Sequence, residues 1–262
     1  MDLDLSGKHA LVCGASEGIG RAAAHELALL GADVTVLARR EAVLREVAAA
    51  LPRGNGQRHG WLAADMDDVA TLQAKAQALV SQGTPVHILV NNTAGPKGGP
   101  AHTAEVEAFE AAFRRHLVAS QVLVQTVLPG MRAARFGRIV NVVSTSVREP
   151  IANLGVSNTV RGAVAGWAKT LSRELAPFGI TVNNVLPGYT ETGRIAQIAR
   201  DRAAATGQSE EDILEGMRRN VPAGRFAQPS ELGGVIAFLC SPAAGYVNGT
   251  SLAVDGGRMQ SI

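Results

Sequence analysis

Short apolar runs alternate with longer stretches of helical spacing from one end of the chain to the other. The runs predict strands over residues 9–12, 33–38, 59–63, 87–91, 137–143, 181–186 and 251–254. Residues 20–30 and 161–176 typify the segments between them: alanine-rich, with the spacing of an amphipathic helix. Strand and helix in alternation imply βαβ units, a parallel sheet and helices on both of its faces. Right-handed crossovers then gather every loop that follows a strand along one sheet edge, where such folds bind ligands. No repeat or linker interrupts the 262 residues, so a single α/β domain built on a doubly wound parallel sheet is expected. Residues 190–225 break the rhythm. They read as two short helices, the second opened by Ser209-Glu210-Glu211-Asp212, which resembles a capping box. An excursion this long beside the binding edge is a candidate lid.

Composition narrows the class. Aromatic residues make up 4% of the chain against 46% hydrophobic, so small aliphatic side chains must fill the core. The net charge is +2 with no basic block, which argues against a nucleic-acid partner. No segment approaches the roughly 18–20 unbroken apolar residues of a membrane span. The opening Met1-Asp2-Leu3-Asp4 is acidic and unlike a signal peptide, so a cytoplasmic protein is expected. Cys13 and Cys240 are far apart and form no CxxC pair; free thiols and no metal site are expected.

The first strand runs through Cys13-Gly14-Ala15-Ser16-Glu17-Gly18-Ile19-Gly20 into the first helix. Gly14 permits a tight turn, Gly18 lets a pyrophosphate approach the backbone, and Gly20 lets helix and strand pack closely. The helix N-terminus then offers free N–H groups to phosphates. An ordinary βα turn would look similar, but this one lies in the first βαβ unit, where a Rossmann-type dinucleotide fingerprint belongs.

The spacing is GxxxGxG. With it come Asp65 after the third strand, Asn91-Asn92-Thr93-Ala94-Gly95 after the fourth, and Asn141-Val142-Val143-Ser144. Then follow Thr181-Val182-Asn183-Asn184-Val185-Leu186-Pro187-Gly188, Thr192 and Val254-Asp255-Gly256-Gly257. In this order the motifs resemble the short-chain dehydrogenase/reductases, close to the 3-oxoacyl-carrier-protein reductases, over residues 5–257. The resemblance implies a nicotinamide dinucleotide held by the glycine turn, including Ser16, Glu17 and Ile19. Asp65 with Met66 would hold the adenine, Asn91 and Thr93 would line the cofactor channel, and Pro187, Gly188 and Thr192 would meet the nicotinamide. Thr93-Ala94 stands where relatives have Ala-Gly.

NAD enzymes need a carboxylate near the end of the second strand for the ribose 2′-hydroxyl. Here the strand ends Leu37-Ala38-Arg39-Arg40. A guanidinium pairs with a 2′-phosphate, so NADP(H) is expected over NAD(H), with Arg39 and Arg40 as binding candidates. Glu17, where NADP-using relatives often carry a basic residue, would either repel that phosphate or pair with Arg39.

The resemblance breaks at the reacting centre. Relatives use an Asn, Ser, Tyr, Lys set. Ser144 is present, but the tyrosine position is Ser157, the lysine position is Arg161, and the asparagine position is His116. In relatives the lysine lowers the tyrosine pKa and the phenol moves the proton. Serine is a poor acid, and arginine stays charged. Arg161 would still bind the nicotinamide ribose. Tyr189, after Pro187-Gly188, and His116, with an ordinary pKa near the working range, are the candidate proton sources. As bland alternatives, Tyr189 would be a pocket wall and His116 a hydrogen-bonded helix residue.

Three functions follow as candidates. One is an NADP-dependent oxidoreductase acting on a ketone or 3-oxoacyl-type carbonyl, or on the corresponding alcohol. Another is a non-redox enzyme on the same fold, as in halohydrin dehalogenases, which carry Ser, Tyr and Arg. The third is a cofactor-binding protein with little turnover. Carrier-protein-using relatives place basic residues at the site mouth; Arg135 occupies one such position and Phe178 another. Relatives pair through the helices expected at 109–131 and 157–176 and through the last strand, so a homotetramer is expected.

Overall fold

A computed structural model describes residues 1–54, 56–83 and 85–261. The chain runs β1 (His9–Cys13), α1 (Gly18–Leu29), β2 (Asp33–Ala38), α2 (Glu41–Ala50), β3 (Gly60–Ala63), α3 (Val69–Ser81) and β4 (Ile88–Asn91). It continues α4 (Val106–Phe113), α5 (Ala119–Ala134), β5 (Gly137–Val142), α6 (Gly155–Leu175) and β6 (Ile180–Pro187). Last come α7 (Gly193–Thr206), α8 (Glu210–Arg219), α9 (Pro229–Cys240) and β7 (Ser251–Val254). Every expected strand is present. The bounds of β2 and β7 match the expectation, and the others shift by one residue at one or both ends.

The seven strands form one sheet in the order β3-β2-β1-β4-β5-β6-β7, all pairs parallel. Alternate side chains of each strand enter opposite cores. Ala10, Val12, Ile88, Val90, Val140 and Val185 pack beneath α1, α2 and α9. Leu11, Cys13, Leu89, Ile139 and Val182 pack beneath α3, α5 and α6. Burial on both faces explains why the strands read as unbroken apolar runs. Cys13 and Cys240 are free and buried, and burial raises each thiol to about 12, so neither is a nucleophile or ligand at neutral pH.

A polar line crosses this apolar sheet. Asn91, Asn141 and Asn184 share one register across β4, β5 and β6. Asn91 Nδ2 donates to Asn141 Oδ1 at 2.9 Å, and Asn141 Nδ2 donates to Asn184 Oδ1 at 3.0 Å. Asn184 Nδ2 then donates to Ser251 Oγ on β7 at 3.1 Å. The expectation that Asn91 lines the cofactor channel is therefore corrected: the residue is buried, its Nδ2 is bonded within the sheet, and it is not on the cavity wall. The next residues, Asn92 to Gly95, line the cavity instead.

The excursion after β6 is two helices, as expected. Ser209 Oγ caps α8 by accepting from Asp212 N at 3.1 Å. A full capping box sits on α9 instead, between Gln228 and Glu231, and was not foreseen. Among the described residues no helix is long and apolar enough to cross a membrane, and no cluster of acidic, His and Cys residues could hold a metal. Phe178 lies under the Arg132 guanidinium, 4.2 Å from ring centroid to the charge, while Arg135 ends α5 in the left-handed conformation.

Candidate active site

The strand order reverses between β1 and β4, which parts the loops at their C-terminal ends. A cavity of about 750 Å³ opens there, bounded by the glycine turn, the ends of β2 to β6 and the start of α7. Gly14 has φ +61°, and a Cβ on it would sit 2.6 Å from the Asn92 side chain and backbone. A Cβ on Gly20 would collide with the Gly14 carbonyl, which is why helix and turn can close so tightly. Ser16, Glu17, Gly18 and Ile19 face the cavity; Gly20 does not, because it is buried under the turn. Glu17 begins α1 without capping it, and the first turn holds no acid, so its N–H groups remain available to an anion.

At the far end of β2, Ala38 lines the cavity with Arg39 and Arg40. Arg40 Nη2 donates to Glu17 Oε2 at 2.6 Å and reaches Ser16 Oγ at 3.2 Å. This corrects the pairing expected for Glu17: its partner is Arg40, not Arg39. Arg39 is the more open of the two, its Nη1 lying 3.9 Å from Asp65 Oδ2. Asp65 and Met66 both border the cavity. Asp65 is not the α3 cap; Asp68 fills that role, accepting from Thr71 N at 3.1 Å. Unforeseen beside them is a two-pronged pair, Arg115 Nε and Nη2 on Asp67 at 2.7 and 2.6 Å. That pair holds the Asp67 carboxyl below its usual range.

Helix α6 shapes the other end. Val156, Val160, Val164 and Ala168 bury one stripe against the protein. Ser157 and Arg161 each follow a stripe residue by one, four apart, so they share the adjoining face and open to the cavity. Arg161 Nη1 donates to the carbonyls of Val142 at 3.0 Å and Val143 at 2.7 Å. Those bonds clamp its head to the end of β5, directly before Ser144. Burial, then repulsion from Arg194, lower Arg161 to about 10, which leaves it cationic at neutral pH. Ser144 Oγ accepts from Ser146 N at 3.1 Å, so its proton is free to donate outward. Thr93, Pro187, Gly188, Tyr189 and Thr192 complete this end. The Tyr189 ring stands edge-on to Phe226 at 6.0 Å, with the Arg258 guanidinium 4.5 Å above it.

His116 behaves differently from expectation. It sits in a π-helical turn, Arg114–Val118, that joins α4 to α5, and it is 6% exposed. Burial first, then the charges of Arg161 and Arg115, push its pKa down to about 3. The expected ionisation near neutrality is therefore corrected: the imidazole is neutral where enzymes work and has no proton to spare as an imidazolium. It also lies behind the cavity wall rather than on it.

The comparisons with known proteins agree with this geometry. A sequence model of a family described as Enoyl-(Acyl carrier protein) reductase matches residues 14–258. The chain belongs to the short-chain dehydrogenase/reductase family. It is 35% identical to a cyclohexanol dehydrogenase of Rhodococcus sp. (strain TK6) over 99% of both chains. It is also 35% identical to a 3-oxoacyl-acyl-carrier-protein reductase of Vibrio harveyi, over 97% of this chain and 98% of that one. Among solved structures, the L-sorbose reductase of Gluconobacter frateurii, complexed with NADPH and L-sorbose, superposes with a TM-score of 0.93 at 30% identity over the whole of both chains. An actinorhodin polyketide ketoreductase with NADPH gives 0.90 at 33% identity, over 97% of this chain and 98% of the other.

Proposed function

We propose that this short-chain dehydrogenase/reductase is an NADPH-dependent oxidoreductase. Its substrate is a ketone or 3-oxoacyl-type carbonyl, or in reverse the alcohol, and its reacting centre is Ser144, Ser157 and Arg161. The observation that carries this reading is the clamping of Arg161 onto the Val142 and Val143 carbonyls. It fixes a cation beside Ser144, in the same cavity that the glycine turn opens into. Relatives named for NADPH or for ketone reduction support it.

The cradle fits the cofactor. The α1 N-terminus would take the diphosphate, Asp65 and Met66 would flank the adenine, and Arg39 would meet a 2′-phosphate. Arg40 is occupied by Glu17, which neutralises the one acid at the turn. Thr93, Pro187, Gly188 and Thr192 would border the nicotinamide, and Arg161 its ribose. When bound, the cofactor supplies or accepts a hydride. The protein's task is then to polarise the carbonyl and absorb the charge that grows on its oxygen. Ser144 and Ser157 hydroxyls donate to that oxygen, and the Arg161 charge stabilises it in a partly buried setting. In this reading the proton comes from Tyr189 or solvent, since His116 is neutral. Helices α7 and α8 act as a lid over residues 190–225, and hydrogen exchange there is expected to slow when NADPH and substrate bind.

The test is calorimetry with NADPH, followed by a ketone panel read at the nicotinamide absorbance. Binding with turnover that falls when Ser144 becomes alanine is expected. Binding with turnover indifferent to Ser144→Ala overturns the assignment.

A further inference from the structure

We propose that the substrate carries an anionic group, a carboxylate or phosphate close to the reacting carbonyl, and that Arg194 and Arg161 bind it together. The inference rests on the reductase reading and names its substrate class.

The charges around the cavity are unevenly paired. The acids on its wall are Glu17, Asp65 and Asp67. Glu17 is matched by Arg40, Asp65 by Arg39 and Asp67 by Arg115. Two arginines on the wall remain, Arg161 and Arg194, and among the described residues neither has a carboxylate within ion-pair distance. They converge on the same spot. A Cβ placed on Gly95 would find Arg161 Nη2 at 3.5 Å and Arg194 Nη2 at 3.8 Å. Their mutual repulsion is one of the causes that lower Arg161. Two like charges facing one point, both held by backbone carbonyls rather than acids, leave a site that an anion completes. Arg194 Nη2 is steadied by the Pro96 carbonyl at 3.2 Å, and Arg161 Nη1 by the β5 carbonyls. Each guanidinium keeps further N–H groups for a ligand.

The position selects the substrate over the cofactor as the source of that anion. The diphosphate belongs at the α1 N-terminus, beside Gly18. Arg161 instead lies at the end of β5 next to Ser144, where the carbonyl is to be reduced. The anion therefore sits on the reacting side of Gly95. Arg194 lies at the start of the proposed lid, on α7, so the anion also draws that lid over the site.

The experiment pairs ligands that differ only in charge, on the full-length protein loaded with NADP⁺ or NADPH. Oxalate and its neutral diamide, oxamide, are unreactive probes for calorimetry; an oxo acid and its methyl ester are substrates for kinetics. Oxalate is expected to bind at least tenfold tighter than oxamide, with the gap narrowing as salt rises. Arg194→Gln is expected to erase that gap and to bring the acid-to-ester ratio of kcat/KM, tenfold or more in the native protein, close to one. Equal binding of oxalate and oxamide overturns the inference. So does a loss of NADPH affinity in Arg194→Gln that equals its loss of oxalate affinity, because the pair then serves the cofactor's diphosphate. Oxalate binding that depends on Arg194, with no ketone reduced, upholds the anion site and overturns the reductase reading alone.

Discussion

Glu17 and Arg40 form a 2.6 Å ion pair across the mouth of the glycine turn, and the pairing decides what the neighbouring arginine can do. A carboxylate at the turn would repel a 2′-phosphate. With its charge met by Arg40, Arg39, whose contact with Asp65 is a loose and exposed 3.9 Å approach, is the arginine proposed to meet the phosphate.

Arg39→Ala is therefore expected to weaken NADPH binding by about tenfold to a hundredfold, the scale of one charge-assisted contact, while NADH binding changes little. Glu17→Gln frees Arg40 and is expected to tighten NADPH. Calorimetry with both cofactors checks each change. Equal loss of NADPH and NADH in Arg39→Ala would remove Arg39 from the phosphate site.

The pairings at this site mark where reading from sequence stops. The seven strands were legible because burial on both sheet faces leaves an unmistakable apolar run, and the glycine turn because backbone contact admits no side chain. Asn91 was misassigned because one residue decides which side of the pleat a strand end faces. Its neighbour Asn92 faces the cavity, and Asn91 does not. Glu17 was given the wrong arginine because adjacent residues on an extended segment point apart. His116 was given an ordinary pKa because nothing local reveals the burial and the two guanidiniums that the fold brings to it. Arg194 drew no attention because a lone arginine on a surface helix reads as solvated. Only its convergence with Arg161 gives it meaning.

The asparagine line across the sheet carries a stability prediction. Asn141 is 1% exposed and bonds Asn91 on one side and Asn184 on the other. Asn141→Ala strands a donor and an acceptor in an apolar sheet. Each unmet group costs about 1–3 kcal/mol, so a loss of about 2–6 kcal/mol is expected in denaturant unfolding. A cost under about 1 kcal/mol would mean that the neighbours find other partners.

Stability is also expected to fall in mild acid. His116 is lowered to about 3, and His87 to about 4 by burial, then Lys8 and His9, from an ordinary 6.5. The unfolded chain takes up these protons near pH 6.5, and the folded chain only far below it. The stability gained by keeping both rings neutral is present above about pH 6.5 and is lost as pH falls toward 4 and then 3. Each unit is worth about 1.4 kcal/mol, so the combined loss is several kcal/mol. His116→Asn is expected to flatten part of that slope in unfolding titrations between pH 7 and pH 4. A slope unchanged by the substitution would place the acid sensitivity elsewhere.

The assembly is expected to be a homotetramer. Phe113 is 43% exposed near the start of the proposed pairing helices, Leu252 is 38% exposed on the edge strand β7, and Tyr246 is fully open. An edge strand with an exposed leucine invites pairing with a second copy. Light scattering at micromolar concentration is expected to give four chains, and a stable monomer would refute the proposal.

The decisive prediction concerns the reacting centre. Ser144→Ala is expected to lower kcat by about one to three decades, the scale of removing a donor from a developing oxyanion. Ser157→Ala is expected to cost less than Ser144→Ala, because a serine hydroxyl at that position orients rather than supplies a proton. The pH profile of kcat is expected to show no step from His116. The double substitution Ser157→Tyr with Arg161→Lys then separates two accounts of the site. The new pair restores a phenol with an ammonium one helical turn away, but it removes the guanidinium clamp on Val142 and Val143 and half of the proposed anion site. On a neutral ketone the pair is expected to raise the rate, since an acid with a tuned pKa replaces solvent as proton source. On an oxo acid it is expected to lower kcat/KM, since the two-arginine site is broken. A gain on both substrates would show the natural Ser157–Arg161 arrangement to be a weakened version of the usual one, with no chemistry of its own.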